Sequence, residues 1–335
     1  MSIIVNYQPS YYDQLLRFYK KYWKEKHNED YLNYRLFKVS NNPLDIEKNL
    51  LAINDNGDIV GCNLFLPAKA TIYGEEHTIF WSNDVFVEKN YRSDVALELI
   101  FKANATKNLF GSGGSSIAKK IQKKLKTNFI SETTAYFIIN RWMVKALLYK
   151  LGIILPEKTD LKTIPDNIRV KDDVFEFVRN ADDLSILDDG YWNKGKLDIE
   201  MNRGIDFLKH RFFDNFNSYY FYQKKNEYKK SYFVFRKIIK RGIAAIALVD
   251  FRFDLDDFGE YLKILRAVHK VAVKNRIPLV VTLSTIIDKK IRFAPLVIRS
   301  HMKRDVVTNI KNIKPSILVT FADSDGDLAI GRITT

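Results

Sequence analysis

The hydrophobic pattern changes its period partway along the first third of the chain. Asn49 to Asn54 alternates, Asn56-Gly57 supplies a two-residue hairpin signal, and Ile59 to Ala68 resumes as a strand. Thr71 to Tyr73, the Gly74 turn and His77 to Val87 extend this antiparallel run. It gives way to a helix beginning near Tyr91, populated by Val95, Leu97, Leu99, Ile100 and Ala103. A meander that runs straight into a helix points to an α/β (α+β) fold with a mixed, mostly antiparallel sheet flanked by helices.

The flanking segments extend the pattern. Ile3 to Tyr7 reads as a strand and Tyr11 to Lys26 as a helix, with Ser10 as its N-cap. Asp30 to Val39 is a second helical patch, ended by Asn41-Asn42-Pro43. Asn108 to Gly111 is a short strand, after which Gly113-Gly114-Ser115-Ser116 opens an amphipathic helix bearing Ile117, Ala118, Ile121 and Leu125. Phe129 to Asn140 is expected to close the first domain as a strand.

Residues 154–166 carry two prolines and several charges without an apolar period, so the expected domains are 1–153 and 167–335, joined by that linker. In the second half, Asn217 to Gln223, Ser231 to Ile239, Gly242 to Phe253, Pro278 to Leu283 and Ile317 to Ala322 read as strands, and Asp257 to Lys274 as a helix. Asp250-Phe251-Arg252 can be laid on Asp84-Val85-Phe86, each followed by a helix, a strand and a further helical patch. The order predicts two tandem copies of one fold.

Composition narrows the setting. A chain of 335 residues with 46% hydrophobic content can bury a large core. Its single cysteine, Cys62, excludes an intrachain disulfide framework, and the sequence shows neither a leader pattern nor a membrane-length apolar run, so a cytoplasmic protein is expected. Fifty-four Lys and Arg against 40 Asp and Glu give +14, which favours acidic partners: phosphates, nucleotides, nucleic acid or anionic lipid headgroups.

Asp84-Val85-Phe86-Val87-Glu88-Lys89-Asn90-Tyr91-Arg92-Ser93 makes a strand-to-helix turn, where free helix N–H groups and the helix dipole favour a phosphate. The segment resembles the acyl-coenzyme A site of the GNAT N-acyltransferases, in element order over residues 1 to about 140 and in motif from Asp84 to Ile100. The resemblance implies that Val85, Phe86, Val87, Tyr91, Arg92, Ser93, Asp94, Val95, Ala96 and Leu97 line an acyl-coenzyme A, with Gly113, Gly114 and Ser115 flanking its pantetheine arm or adenine end. With Arg92 in the loop's first position, the family's two small positions fall on Val95 and Leu97. Ser115, Ala118 and Gln122 stand where the family has Asn, a small residue and an acidic Tyr, and Gln122 cannot protonate a thiolate as Tyr could. The layout of the whole chain also resembles tandem GNAT proteins of bacterial surface-polysaccharide functions, and the doubled FemABX-type peptidyltransferases.

The remaining motifs are read against plain structural roles. Gly111-Ser112-Gly113-Gly114 is as much a helix-entry turn as a phosphate cradle, since it lacks the Lys-Ser/Thr of a P-loop. Asp323-Ser324-Asp325-Gly326-Asp327 lacks EF-hand spacing and reads as a hairpin turn. The five histidines show no metal-ligand spacing, so no metal is expected, and no Gly-x-Ser-x-Gly is present. Tyr219, Tyr220 and Tyr222 suit sheet packing.

Transfer to an amine needs a proton acceptor and an oxyanion site. Asp84 is the carboxylate best placed, with a structural strand-end role the competing reading, and Glu132 is a second candidate. The expected activity is acyl transfer, from acetyl-coenzyme A or another acyl-coenzyme A, to an amino sugar or nucleotide-linked precursor. Alternatives are a FemABX-like aminoacyl or peptidyl transferase using charged tRNA, and a binding module that keeps the fold without the chemistry.

Overall fold

The computed structural model describes residues 2–324, apart from 23–28, 39–42, 93, 115, 186, 188, 216, 226–230, 241, 293 and 295. The chain forms two compact units. Unit 1 holds residues 1–70, 76–131 and 304–315, and unit 2 holds 71–75, 132–303 and 316–335. The expected division at 153 and 167 falls elsewhere: residues 132–153 and the linker 154–166 lie inside unit 2, and unit 1 takes a piece from near the C-terminus.

The strands are β1 (Ser2–Asn6), β2 (Leu50–Asn54), β3 (Ile59–Ile72), β4 (Glu75–Val87), β5 (Leu109–Ser112), β6 (Asn128–Ile139), β7 (Asn167–Val170), β8 (Asp173–Val178), β9 (Ile199–Met201), β10 (Tyr220–Lys224), β11 (Tyr232–Lys240), β12 (Ile243–Arg252), β13 (Leu279–Ser284) and β14 (Val297–Thr308). The helices are α1 (Tyr12–Tyr22), α2 (Glu29–Asn33), α3 (Pro43–Ile46), α4 (Val95–Asn104), α5 (Ser116–Lys124), α6 (Met143–Lys150), α7 (Ile205–Leu208) and α8 (Phe258–Lys274). Ser10 sits inside a 3-10 turn, Pro9–Tyr11, so it does not cap α1. β7, β8, β9 and β14 have no counterpart among the expected strands, and the hairpin expected around Asp325-Gly326 lies outside the described residues.

Unit 1 orders its strands β1-β2-β3-β4-β5-β14. The hairpin expected at Asn56-Gly57 joins β2 to β3, with Gly57 at φ 82°. Packed on this sheet, α4 buries Val95, Leu99 and Ala103 against Ile4, Leu50, Val60, Phe80 and Val87. Gly61 makes that packing possible, because a Cβ there would stand 3.1 Å from Val87 Cγ2, 3.2 Å from Leu99 Cδ1 and 3.2 Å from the Phe86 carbonyl oxygen. In unit 2 the order is β6-β13-β12-β11-β10-β8-β7. Strand alternation sends Phe233, Phe235, Ile246 and Leu248 to the α8 face, and Tyr232, Val234, Ala245 and Val249 to the other.

Among the described residues, each unit has a parallel strand pair joined by a crossover helix. In unit 1, β4 and β5 pair from Phe80↔Leu109 to Ser82↔Gly111, and α4 connects them. In unit 2, β12 and β13 pair from Ala245↔Leu279 to Ala247↔Val281, and α8 connects them. The parallel pairing ends in both cases before the first strand does, at Ser82 of β4 and Ala247 of β12, which leaves a fork at its C-terminal end.

Candidate active site

Both forks begin beside an aspartate. In unit 1 this is Asp84, whose backbone turns through the left-handed region at φ 47° and bends β4. The Tyr31 hydroxyl donates to its Oδ2 at 2.7 Å, the Tyr19 hydroxyl lies 3.4 Å away, and Arg35 Nε is 3.3 Å away. The Cys62 thiol donates to the Asp84 carbonyl oxygen at 3.3 Å. Burial, with Asp84 second, raises the Tyr19 hydroxyl well above its ordinary value, so Tyr19 stays protonated.

In unit 2 the corresponding residue is Asp250, fully buried. It accepts from Arg203 Nε at 2.8 Å, Arg252 Nη1 at 3.0 Å, the Tyr232 hydroxyl at 2.8 Å and Thr320 Oγ1 at 2.7 Å. Burial alone would push this carboxyl up, but Arg203 and Arg252 together outweigh it and hold the group below the usual carboxylate range. Asp84 stands two residues beyond the last paired residue of β4, Ser82, and Asp250 three beyond that of β12, Ala247.

The forks differ in what fills them. In unit 2 the chain returns: Ala322 N–H donates to the Val249 carbonyl oxygen at 3.1 Å, on β12, and Thr285 N–H donates to the Val319 carbonyl oxygen at 3.2 Å, just beyond β13. Residues Ile317 to Asp323 are all buried, and Asp323 is ion-paired with Arg203. The sequence predicts a strand over Ile317 to Ala322, and the chain there makes an isolated bridge, Ile199↔Ile317, and packs between the diverging strands. Phe251 is 0% exposed, packed on the α8 side against Phe253 and Tyr261, whereas Val85 on the bent strand of unit 1 is 43% exposed.

The helix starts beyond the forks differ as well. α8 is capped by its own Asp257, which accepts from Glu260 N–H, and the preceding turn carries Asp254 and Asp256, both paired with Lys196. A phosphate would meet these carboxylates there. At α4, Asp94 stands in the N-cap place with no side-chain cap bond, and the preceding turn holds Lys89 and Arg92. That is the sort of helix start that accepts an anion.

The residues named from the sequence separate into several roles. Val85 is exposed on the bent strand, and Phe86 packs on Tyr22 with ring centroids 4.8 Å apart. Val87 is buried, and its carbonyl accepts from Arg92 Nε at 3.1 Å, which fixes the arginine against the strand end with its guanidinium 5.9 Å from the Phe86 ring centre. Tyr91 and Ala96 pack against the core, and Val95 is inside it at 2% exposure. Leu97 is exposed. Ser93 and Ser115 lie outside the described residues.

Gly113 and Gly114 take φ 81° and 112°, as a tight turn requires. The Gly113 N–H is spent on the Asp305 carbonyl oxygen at 2.9 Å, and Lys119 holds the Asp305 carboxylate at 2.6 Å. This loop therefore ties β5 to β14. Glu132 lies in unit 2 and pairs with Lys303 at 3.0 Å. Sequence reasoning missed the Tyr19, Tyr31 and Arg35 set around Asp84; these residues lie far from it in the chain, and no local pattern marks them.

No family model and no curated protein sequence matches the chain. Its structure does have neighbours. A GCN5-related N-acetyltransferase from Anabaena variabilis matches over 92% of this chain and 72% of its own, with TM-score 0.56 and 12% identity. The chain has the GNAT fold. Saccharomyces cerevisiae N-myristoyltransferase with bound myristoyl-CoA is similar over 92% of this chain and 78% of its own, with TM-score 0.60 and 11% identity. A conserved Enterococcus faecalis protein described as a probable N-acyltransferase matches over 92% and 72%, with TM-score 0.58 and 9% identity. In GNAT terms, the forks at Ser82 and Ala247 are the features by which the two units can be compared.

Proposed function

We propose that the protein is an acyl-coenzyme A dependent N-acyltransferase that takes its donor in the fork of unit 1. The observation that carries this reading is a contrast between the forks: the returning chain bonds to Val249 and Thr285 in unit 2, while Val85 on the bent strand of unit 1 is exposed. The bent strand would lie along the pantetheine, and the free N–H groups at the start of α4, with Arg92 beside them, would hold the pyrophosphate. The donor supplies an activated thioester carbonyl. Asp84, held by Tyr31 and Arg35, keeps the bend of β4 in place and serves the fold; Glu132, paired with Lys303, is likewise committed to a neighbour.

The acceptor proposed from the sequence is an amino sugar or nucleotide-linked precursor of surface polysaccharide, and the acyl group acetyl, in a cytoplasmic enzyme of two tandem GNAT-like domains. The basic balance of +14 supports an acidic acceptor, and the matched forks support the doubling. Among the described residues no helix is long and apolar enough to cross a membrane. Calorimetric titration with acetyl-coenzyme A and myristoyl-coenzyme A tests the donor: binding of either in the micromolar to low-millimolar range supports the reading, and no heat at saturation rejects it. Steeply salt-sensitive binding of tRNA in its place would favour the FemABX-like alternative.

A further inference from the structure

Helix α6 presents its apolar face outward. At 100° per residue, Met143, Leu147, Leu151 and Val144 span an arc of about 100°, and all four are exposed. Ala146, on another side of the wheel, is the helix's buried residue. The segment that follows continues the surface with Ile153 at 64% and Leu155 at 84% exposure. An apolar stripe of this kind in contact with solvent marks an interaction surface.

Basic groups lie behind the stripe and reach its end at Leu155. Trp142, at the start of α6, has Arg141, Lys145 and Arg276 over its ring at 5.5, 5.9 and 5.6 Å. Lys145 and Tyr149, on the side of α6 away from the stripe, line a cleft of about 480 Å³ together with Lys162, Lys237, Lys274 and Arg276, and Leu155 lies on its rim. Glu157 and Asp160 are the carboxylates of this cleft, so cations outnumber anions there. Glu157 is already paired with Lys162 at 3.1 Å. The cleft lies at the beginning of β12, beside Ala244, about 20 Å along the strand from Asp250.

We propose that this part of unit 2 docks on the surface of an anionic lipid bilayer, with Met143, Val144, Leu147, Leu151, Ile153 and Leu155 entering the boundary between headgroups and acyl chains and the cations of the cleft, which begins at Leu155, drawing the anionic surface in. An exposed apolar stripe flanked by Lys and Arg is the pattern of an interfacial segment, and anionic lipid draws such a surface in through each nearby cation. A second copy of the chain is the poorer occupant, because a self-complementary contact would bring the same basic rim against itself. The surface is separate from the fork in unit 1, so this proposal does not depend on the acyl-transfer reading.

The test is co-sedimentation of the full chain with vesicles of phosphatidylcholine, with and without phosphatidylglycerol, across a salt series. The wild-type protein is expected to bind only the anionic vesicles, and progressively less as salt screens the cations. The double substitution Leu147→Glu/Leu151→Glu, at exposed positions, should weaken binding by about tenfold or more while leaving the melting temperature unchanged. Lys145→Gln/Arg276→Gln should weaken binding to anionic vesicles by roughly fivefold per charge. No binding to anionic vesicles at low salt overturns the proposal, as does full binding by Leu147→Glu/Leu151→Glu. A wild-type dimer in light scattering that this variant abolishes, without vesicle binding, would assign the face to a second copy and overturn the lipid reading.

Discussion

Ala322 donates its backbone N–H to the carbonyl oxygen of Val249 at 3.1 Å, and with that bond the chain closes the fork of unit 2. In unit 1, Val85 on the bent strand stays in contact with solvent. One fork is thus filled by the chain itself, and the proposal places the donor in the other.

Asp84 separates a structural role from a chemical one. Asp84→Asn leaves Arg35, whose side chain is 1% exposed, without its counter-charge, at a cost on the order of 3 kcal/mol. The melting temperature should fall markedly and donor affinity should follow it. If instead turnover collapses while the melting temperature holds, Asp84 acts on the acceptor proton.

At the helix start, Arg92→Ala is expected to weaken acyl-coenzyme A binding by roughly tenfold or more, with a small change in stability because the lost bond is a single one to the Val87 carbonyl. Val95→Gly should behave in the opposite way. Val95 is a core residue, so its truncation leaves a cavity and adds a helix penalty, together about 2–3 kcal/mol, with no gain in affinity. Calorimetric titration and thermal melts of both variants check the pair.

Gly61→Ala probes the close approach of β3 to α4. Three contacts of 3.1–3.2 Å await the new methyl group, and overpacking of this kind costs about 1–3 kcal/mol. Because the contacts are to Val87, Leu99 and the Phe86 carbonyl, the strand end and α4 should both shift, and donor affinity should fall more than the loss of stability alone explains. An unchanged melt and an unchanged affinity would show that the packing has room to spare.

These residues also show how much could be read from the amino-acid sequence. Local signals served well: Asn56-Gly57 made its hairpin, and Asp257 to Lys274 became α8 with Asp257 as its cap. What failed was long-range pairing. β6, expected to close the first domain, pairs with β13 of unit 2, while β14 completes unit 1 beside β5. Prolines in 154–166 mark a break in local periodicity, but the partner a strand chooses across the chain leaves no mark on its own composition. The partners of Asp84 were hidden for the same reason, since Tyr19, Tyr31 and Arg35 reach it only through the fold.

Acid should loosen unit 2 through Asp250. Its folded value is depressed to about 2, below an unfolded value near 3.9, so its contribution is full above the unfolded value and is lost as pH falls through the folded one. The loss, on the order of 2 kcal/mol, belongs to the window from about pH 5 down to pH 2. Denaturant melts across that range should show it, and Asp250→Asn, less stable at neutral pH, should show a shallower decline. A slope identical to wild type would mean that other carboxylates govern the acid transition.

Hydrogen–deuterium exchange, measured with and without saturating acyl-coenzyme A, tests the two-fork account most directly. Donor binding is predicted to slow exchange over residues 84–97 and to leave 250–262 and 279–285 as they were. Protection that appears across 250–262 and 279–285 while 84–97 stays unchanged would place the donor in the fork that Ala322 closes, and would contradict the account.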